Sequence, residues 1–151
     1  MQISVIGKGT PDEALAPLAE EIGRRLAEAG AVVVCGGLTG VMEAVARGAA
    51  AAGGTTIGIV PSSSTAEANR HCTHVIATGI GHARNLAVVA SGDAVIAVGG
   101  RYGTLAEIGF ALTLTRPIVV LEPGWEVEGT QRAATPAHAV ELALAAAVPS
   151  G

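Results

Sequence analysis

The amino-acid sequence predicts an α/β fold in which a doubly wound, parallel, Rossmann-like sheet forms a single domain over residues 1–151. Short apolar runs of strand length alternate with helical segments along the chain. These runs show no polar face, which is typical of a parallel sheet covered by helices on both sides. Two of the runs end in glycine-rich turns, at residues 36–40 and 99–103, and a predicted helix follows each turn.

Each predicted strand is a short apolar run bounded by glycine, proline or polar residues. The predicted strands cover residues 3–6, 31–35, 55–60, 74–77, 94–98 and 117–121. The predicted helices cover residues 10–30, 39–52, 81–91, 104–114 and a closing segment from residue 135, with a short helical turn at 64–67 and an irregular segment up to residue 130.

Start and stop signals place the first and last helices. Thr10, Pro11 and Glu13 are in the order of an N-cap, a first-turn proline and a capping glutamate, and Gly30 ends an apolar stripe of helical period. Thr135 and Pro136 repeat the cap and the proline. We therefore expect the first helix to begin at Thr10 and the last at Thr135.

Composition excludes several functional classes. The net charge is −4 without a basic run, and only 2% of residues are aromatic, which argues against nucleic-acid binding. No apolar stretch has the length of a membrane span, and no signal-peptide pattern begins the chain, so we expect a cytoplasmic protein without a membrane partner.

Cys35 and Cys72 lie in unrelated sequence settings, which indicates reduced thiols. The segment 71–74 lacks a second pair of ligands, so a strand edge is favoured over a metal site.

The two glycine turns predict an anion site. A strand that ends below a helix N-terminus presents backbone N–H groups beside the positive end of the helix dipole, which suits phosphate. We expect one phosphate-bearing ligand between residues 37–40 and 100–103. Lys8, on the turn that follows the first strand, is either a solvated charge or an anion contact. The alternative for the glycines is that they serve only tight turns.

Three segments resemble the LOG superfamily. They are Gly36-Gly37-Leu38-Thr39-Gly40-Val41-Met42, Arg84-Asn85 and Gly99-Gly100-Arg101-Tyr102-Gly103-Thr104-Leu105-Ala106-Glu107. That group includes cytokinin-activating phosphoribohydrolases and molybdenum cofactor carriers, and the chain is most similar to the short branch that contains the carriers. The hydrolases have a Pro-Gly-Gly-x-Gly-Thr-x-x-Glu motif and an Arg-Lys pair. This chain has Gly99 in place of the proline, Arg101 in place of the second glycine and Asn85 in place of the lysine.

The turns and the resemblance together imply a protein that binds a phosphorylated nucleotide- or pterin-type ligand, such as molybdenum cofactor or a nucleoside monophosphate, and that requires no further cofactor. The expected ligand-binding residues are Gly7, Lys8, Gly36, Gly37, Thr39, Gly40, Val41, Met42, Arg84, Asn85, Gly99, Gly100, Arg101, Tyr102, Gly103, Thr104 and Glu107.

The alternative function is hydrolysis of the N-glycosidic bond of a nucleoside 5′-monophosphate. Arg84 would then orient the substrate, and Glu107 would stabilise an oxocarbenium-like ribose. Both residues also have an interpretation that involves no function. Glu107 is then the third helical residue of a capping box with Thr104, and Arg84 is a solvated surface charge. Pyridoxal-dependent lysine decarboxylation is excluded, because the sole lysine of the chain lies on a glycine turn.

The resemblance also implies a homodimer or homotetramer. Phe110, Leu112 and Leu114 follow the predicted site and are the residues expected at the contact between subunits.

Overall fold

The computed structural model describes residues 1–147, in which strands and helices alternate along most of the chain. The strands are β1 (Gln2–Gly7), β2 (Val32–Cys35), β3 (Thr56–Val60), β4 (His74–Ala77), β5 (Ala94–Val98), β6 (Ile118–Leu121) and β7 (Gln131–Arg132). The α-helices are α1 (Ala16–Glu28), α2 (Val41–Ala51), α3 (Arg84–Ser91), α4 (Tyr102–Thr113) and α5 (Pro136–Ala146), and short 3-10 helices cover Thr65–Glu67 and Gly81–Ala83.

The strands form one parallel sheet in the order β4-β3-β2-β1-β5-β6-β7. From β1 the chain builds the sheet outward through β2, β3 and β4, and it then returns to place β5 on the other side of β1. This reversal is the topological switch point of a doubly wound fold, where ligands commonly bind beyond the carboxyl ends of the strands. Gly7 and Val98 are register partners at that edge. The predicted fold class is confirmed.

Alternate residues of each central strand enter two separate cores, as the two-residue period of a strand requires. On β5, Ile96 and Val98 pack among side chains of α1, α2 and α5. Val95 and Ala97 pack on the opposite face among side chains of α3 and α4. All four are at most 2% exposed. Burial on both faces explains why this strand is an unbroken apolar run.

The predicted start of the first helix is wrong. The helix begins at Ala16 rather than at Thr10, and Pro17 supplies the first-turn proline. The Asp12 carboxylate accepts hydrogen bonds from the backbone N–H groups of Ala14 and Leu15, at 2.9 and 3.0 Å, and so forms a turn ahead of the helix. No side chain caps α1, and the predicted capping residues belong to the preceding loop, in which Gly9 and Thr10 lie against the turn that follows β2.

The remaining boundaries agree closely with the prediction. Strands β4 and β5 have the predicted bounds, and the Thr135 hydroxyl accepts from the His138 N–H at 3.1 Å as the expected cap of α5. The two-residue strand β7 was not predicted, since it is too short to show a periodic pattern. The predicted helix 81–91 divides into a 3-10 turn and α3.

The expectation that the two cysteines are unrelated is also wrong. Cys35 is fully buried at the end of β2, and Cys72 packs against the same core cluster, close enough for the two thiols to affect each other's pKa. Within residues 1–147, no helix has the length and apolarity needed to cross a membrane. Over the same residues, no group of three or more His, Cys, Asp or Glu side chains is arranged to hold a metal ion.

Candidate functional site

A cleft of about 470 Å³ opens at the switch point between β1 and β5. This volume lies within the range of small-molecule sites, roughly 300–1,000 Å³. Its walls come from the end of β1, from the segments that follow β1, β2, β3, β4 and β5, and from α2, α3 and the first two turns of α4. The lining residues are Val5, Ile6, Gly7, Lys8, Gly9, Thr10, Gly36, Leu38, Thr39, Met42, Pro61, His82, Arg84, Arg101, Gly103, Thr104 and Glu107.

The turn after β2 is held against the loop after β1. The Thr39 hydroxyl donates to the Gly9 carbonyl at 2.7 Å, and the Val41 N–H donates to the Lys8 carbonyl at 2.9 Å. Gly40 has a φ of 68°, and a Cβ there would lie 2.3 Å from the Lys8 carbonyl oxygen. Glycine at position 40 is therefore required by the fold itself, and the two loops form one continuous wall of the cleft.

Arg84 crosses from α3 to the ends of β2 and β3 and is only 7% exposed, which overturns its interpretation as a solvated charge. Its Nε donates to the Ile59 carbonyl at 2.9 Å, and its Nη2 donates to the Gly36 carbonyl at 3.3 Å. Its Nη1 donates to Asn85 Oδ1. The guanidinium is thus locked in one orientation at the wall of the cleft.

Burial lowers the pKa of Arg84, while the negative charge of Glu107 acts in the opposite direction. Arginine nevertheless stays protonated in proteins, because its ordinary pKa lies far above neutral pH. Among residues 1–147, no carboxylate forms an ion pair with this guanidinium. A buried and unneutralised positive charge at a cleft wall favours an anionic ligand.

Glu107 is half-buried on the second turn of α4 and faces the cleft. The capping-box interpretation is wrong, because α4 begins at Tyr102 and Thr104 is a buried residue inside the helix. Burial raises the pKa of Glu107 to about 7, and the charge of Arg84 only partly offsets this effect. The Glu107 carboxyl is therefore close to half-protonated at neutral pH.

Lys8 lines the cleft, and its Nζ forms an ion pair of 2.8 Å with the Asp12 carboxylate. The hydrogen bond from Lys8 lowers the pKa of Asp12. Arg101, the N-cap residue of α4, also lines the cleft and is exposed. The cleft therefore has three cationic side chains in its walls, and one of them already has a carboxylate partner.

The predicted site residues divide into two groups. Those in the cleft lining are Gly7, Lys8, Gly36, Thr39, Met42, Arg84, Arg101, Gly103, Thr104 and Glu107. Those outside the lining are Gly37, Gly40, Val41, Asn85, Gly99, Gly100 and Tyr102. In the second group, Gly40 and Asn85 support the site by shaping the turn and by holding Arg84.

Sequence reasoning missed several contributors. Pro61 and His82 line the cleft, and His82 lies two residues before the Arg84-Asn85 pair of the resemblance. Asn69 lies outside the lining, but its Nδ2 donates to the Leu38 carbonyl at 2.9 Å and its backbone N–H donates to the Gly37 carbonyl at 2.8 Å. No local pattern marks Asn69, because its partners lie more than 30 residues away.

The fold and the cleft define a class: doubly wound α/β proteins with a ligand-sized cleft at the switch point of the sheet. Within that class, the chain belongs to the SLOG cluster4 family, whose pattern it matches over residues 1–148. The resemblance to the LOG superfamily is thereby confirmed.

Three known proteins illustrate the relationship. An uncharacterized protein of Archaeoglobus fulgidus is 43% identical over 148 residues, which are 98% of this chain and 97% of that protein. The molybdenum cofactor binding protein of Rippkaea orientalis has a structure with a TM-score of 0.89 and 33% identity, and the match covers 95% of both chains. A cytokinin riboside 5′-monophosphate phosphoribohydrolase of Rhodococcoides fascians is 37% identical over 111 residues, which are 71% of this chain and 54% of that enzyme.

Proposed function

We propose that this chain is a carrier-type protein that binds a phosphorylated pterin- or nucleotide-type ligand, of which molybdenum cofactor is an example, without transforming it. The observation that carries the proposal is Arg84, a buried guanidinium held by two backbone carbonyls in the wall of a cleft, with no carboxylate ion pair among the described residues. The similarity to the molybdenum cofactor binding protein over 95% of both chains supports the same class of ligand.

The residues of the cleft fit such a ligand. Arg84 and Arg101 supply positive charge for a phosphate, and the N-terminal end of α4 adds backbone N–H groups with the favourable dipole. The partly exposed apolar atoms of Leu38, Met42 and Pro61 offer surface for a planar ring. In this function the protein does not change the ligand chemically. The residues of the cleft bind it and limit its contact with water.

One observation favours the alternative, hydrolysis of a nucleoside 5′-monophosphate. Glu107 faces the cleft with a pKa near 7, which suits a group that gains or loses a proton during a reaction. Arg84 is close enough to affect the charge of Glu107 and would hold the phosphate in the same substrate. Glycoside cleavage ordinarily uses two carboxyl groups, however, and Glu107 is the only carboxyl in the cleft lining among the described residues.

The two functions are separated by the fate of the ligand. Purification under native conditions followed by mass spectrometry should detect a retained pterin or nucleotide. Incubation with the common nucleoside 5′-monophosphates, followed by chromatography, should detect no free base. Base release that is lost in Glu107→Gln would establish the hydrolase and overturn the carrier.

We also propose a cytoplasmic homo-oligomer that contacts its second copy through α4. The residues of α4 that face outward carry no charge; they are Tyr102, Gly103, Ala106, Gly109, Phe110 and Thr113. A helix that is apolar on nearly all sides is usually buried, and an uncharged face is complementary to a copy of itself. Of the residues named from the sequence for this contact, Phe110 and Leu114 are each 38% exposed, whereas Leu112 packs into the core between the sheet, α3 and α4.

A further inference from the structure

The two cysteines of the chain meet beside the cleft, although 36 residues separate them in sequence. Cys35 is the last residue of β2 and has no exposed surface. Cys72 is half-buried in the segment before β4 and packs against the same core cluster as Cys35. The two thiols are close enough to affect each other's pKa. Cys35 Sγ donates to the Met42 carbonyl and Cys72 Sγ donates to Asn69 Oδ1, each at 3.7 Å. The only two cysteines of the chain thus lie at the same core cluster.

A glycine on β3 leaves space beside Cys35 for the Cys72 side chain. Gly58 of β3 is the register partner of Cys35 on β2. A Cβ on Gly58 would lie 2.7 Å from Cys72 Sγ and 3.4 Å from Cys72 Cβ. Register partners on neighbouring strands are about 5 Å apart and point to the same face of the sheet. The Cys72 side chain therefore occupies the space that a side chain at position 58 would fill, next to Cys35.

Hydrogen bonds hold the segment of Cys72 against the chain that follows Cys35. The Cys72 N–H donates to the Asn69 carbonyl at 3.3 Å, and the Asn69 N–H donates to the Gly37 carbonyl at 2.8 Å. The Asn69 side chain donates to the Leu38 carbonyl at 2.9 Å. The segment that carries Cys72 is thus held by hydrogen bonds to the residues that directly follow Cys35.

The two thiols differ in acidity and in access to solvent. The neighbouring Cys35 thiol lowers the pKa of Cys72, and Asn69 contributes in the same direction. The neighbouring Cys72 thiol, together with burial, raises the pKa of Cys35. The thiolate is the nucleophilic form of cysteine, so the more accessible Cys72 reacts first and the buried Cys35 reacts second.

We propose that Cys35 and Cys72 form an oxidation site at which a peroxide produces an intramolecular disulfide. The Cys72 thiolate attacks one oxygen of hydrogen peroxide, the O–O bond breaks, and the released hydroxide takes up a proton to become water. Cys72 is then a sulfenic acid. The Cys35 sulfur attacks Cys72 Sγ and loses its proton, the S–S bond forms, and the sulfenic oxygen leaves as a second water. Two thiols are oxidised by two electrons, and the peroxide is reduced to two waters.

The test is oxidation of the native full-length chain with hydrogen peroxide. Free thiols are counted after unfolding, and the intact mass is measured. We expect both thiols to disappear together with the loss of two hydrogen atoms in mass, no covalent dimer, and full recovery with dithiothreitol. Addition of oxygen to Cys72 while Cys35 remains a free thiol would overturn the proposal, and so would a covalent dimer.

Two single variants test the order of the steps. Cys35→Ser should leave Cys72 as a sulfenic acid that a dimedone probe labels. Cys72→Ser should leave Cys35 unlabelled, because Cys35 is fully buried. Equal labelling of the two variants would contradict the assignment of Cys72 as the reacting thiol. The wild-type measurement decides whether the disulfide forms even if a variant folds poorly, and none of these readouts depends on the ligand of the cleft.

Discussion

The guanidinium of Arg84 lies where the side chain of residue 36 would be if that residue were not glycine. Arg84 Nη2 donates to the Gly36 carbonyl at 3.3 Å, and a Cβ on Gly36 would lie 2.8 Å from the same nitrogen. The first glycine turn therefore contacts the arginine of α3 directly, and the position of one depends on the other. Glycine at position 36 allows a buried charge to reach the cleft.

Gly36→Ala should weaken both the fold and the site. The new Cβ would also lie 2.5 Å from Met42 Sδ, so Arg84 or Met42 must move. We expect a loss of about 1–3 kcal/mol in the free energy of unfolding, the usual cost of overpacking. Affinity for a nucleoside monophosphate should fall roughly tenfold to a hundredfold, since a hydrogen bond to a charged group contributes about 1.5–3 kcal/mol.

The matched control for Gly36→Ala is Gly9→Ala, in another loop of the same cleft. A Cβ on Gly9 would meet only Met42 Cε, at an ordinary 3.8 Å. Urea unfolding and calorimetric titration compare the two variants. Equal losses of stability would show that the position of Arg84 does not depend on Gly36.

Glu107→Gln should stabilise the protein in a pH-dependent way. The pKa of Glu107 rises from 4.5 to about 7 on folding. Between these values the folded state keeps a proton that the unfolded state has lost, so wild-type stability falls as pH rises through this window and stays low above it. Glutamine does not titrate. At pH 8 the variant should be more stable by up to about 3 kcal/mol, since one pKa unit corresponds to about 1.4 kcal/mol.

At pH 4 the same variant should have almost no advantage, because wild-type Glu107 is then protonated in both states. Urea unfolding at the two pH values measures the difference, and Glu141→Gln, on the exposed surface of α5, is the control. An advantage of equal size at pH 4 and pH 8 would contradict a raised pKa for Glu107.

Gly103→Ala should raise the stability of the protein and weaken its affinity for the ligand. Gly103 lies in the first turn of α4, and a Cβ there would meet nothing within 4 Å, so the fold does not require glycine. Alanine should stabilise the helix by about 0.5–1 kcal/mol. If a ligand approaches the backbone at this position, its affinity should fall about tenfold or more, through the overlap with the new methyl group.

The control is Gly109→Ala, which has the same open surroundings in the same helix but lies outside the cleft lining. It should leave the affinity unchanged. Because Gly109 lies on the α4 face proposed to contact a second copy, the stabilities are compared at a concentration where both variants have the same oligomeric state. If Gly103→Ala binds a nucleoside monophosphate as tightly as wild type, the ligand does not contact this turn.

Phe110→Asp should produce a monomer. Phe110 lies on the uncharged outer face of α4, and two aspartates buried at a symmetric contact would repel each other and lose hydration. Analytical ultracentrifugation at micromolar concentration should show an oligomer for wild type. The control is Ala66→Asp, an exposed position in the 3-10 helix Thr65–Glu67, which should remain oligomeric. A monomeric wild type would refute the proposed assembly.

Two helix starts in this chain differ from the positions that local sequence patterns predict. The start of α4 was placed at Thr104 because Thr-x-x-Glu is a capping signal, but tertiary packing extended the helix back to Tyr102 and buried Thr104. The first helix was likewise started too early, because Thr10 and Pro11 are used in a loop that is held by the turn after β2. Helix boundaries depend on neighbouring segments that a local signal does not contain.

The sequence by itself determined the parallel doubly wound sheet, the two glycine turns at one edge of it, and the family, since strand periodicity and turn chemistry are local properties of the chain. Only the tertiary structure decided that Arg84 is buried on the Gly36 carbonyl, that Glu107 faces the cleft with a pKa near 7, and that Cys72 lies on Gly58 beside Cys35. Each of these depends on contacts between residues that the sheet order brings together from distant parts of the chain. Burial and the electrostatic effect of a neighbouring charge exist only after that order has formed.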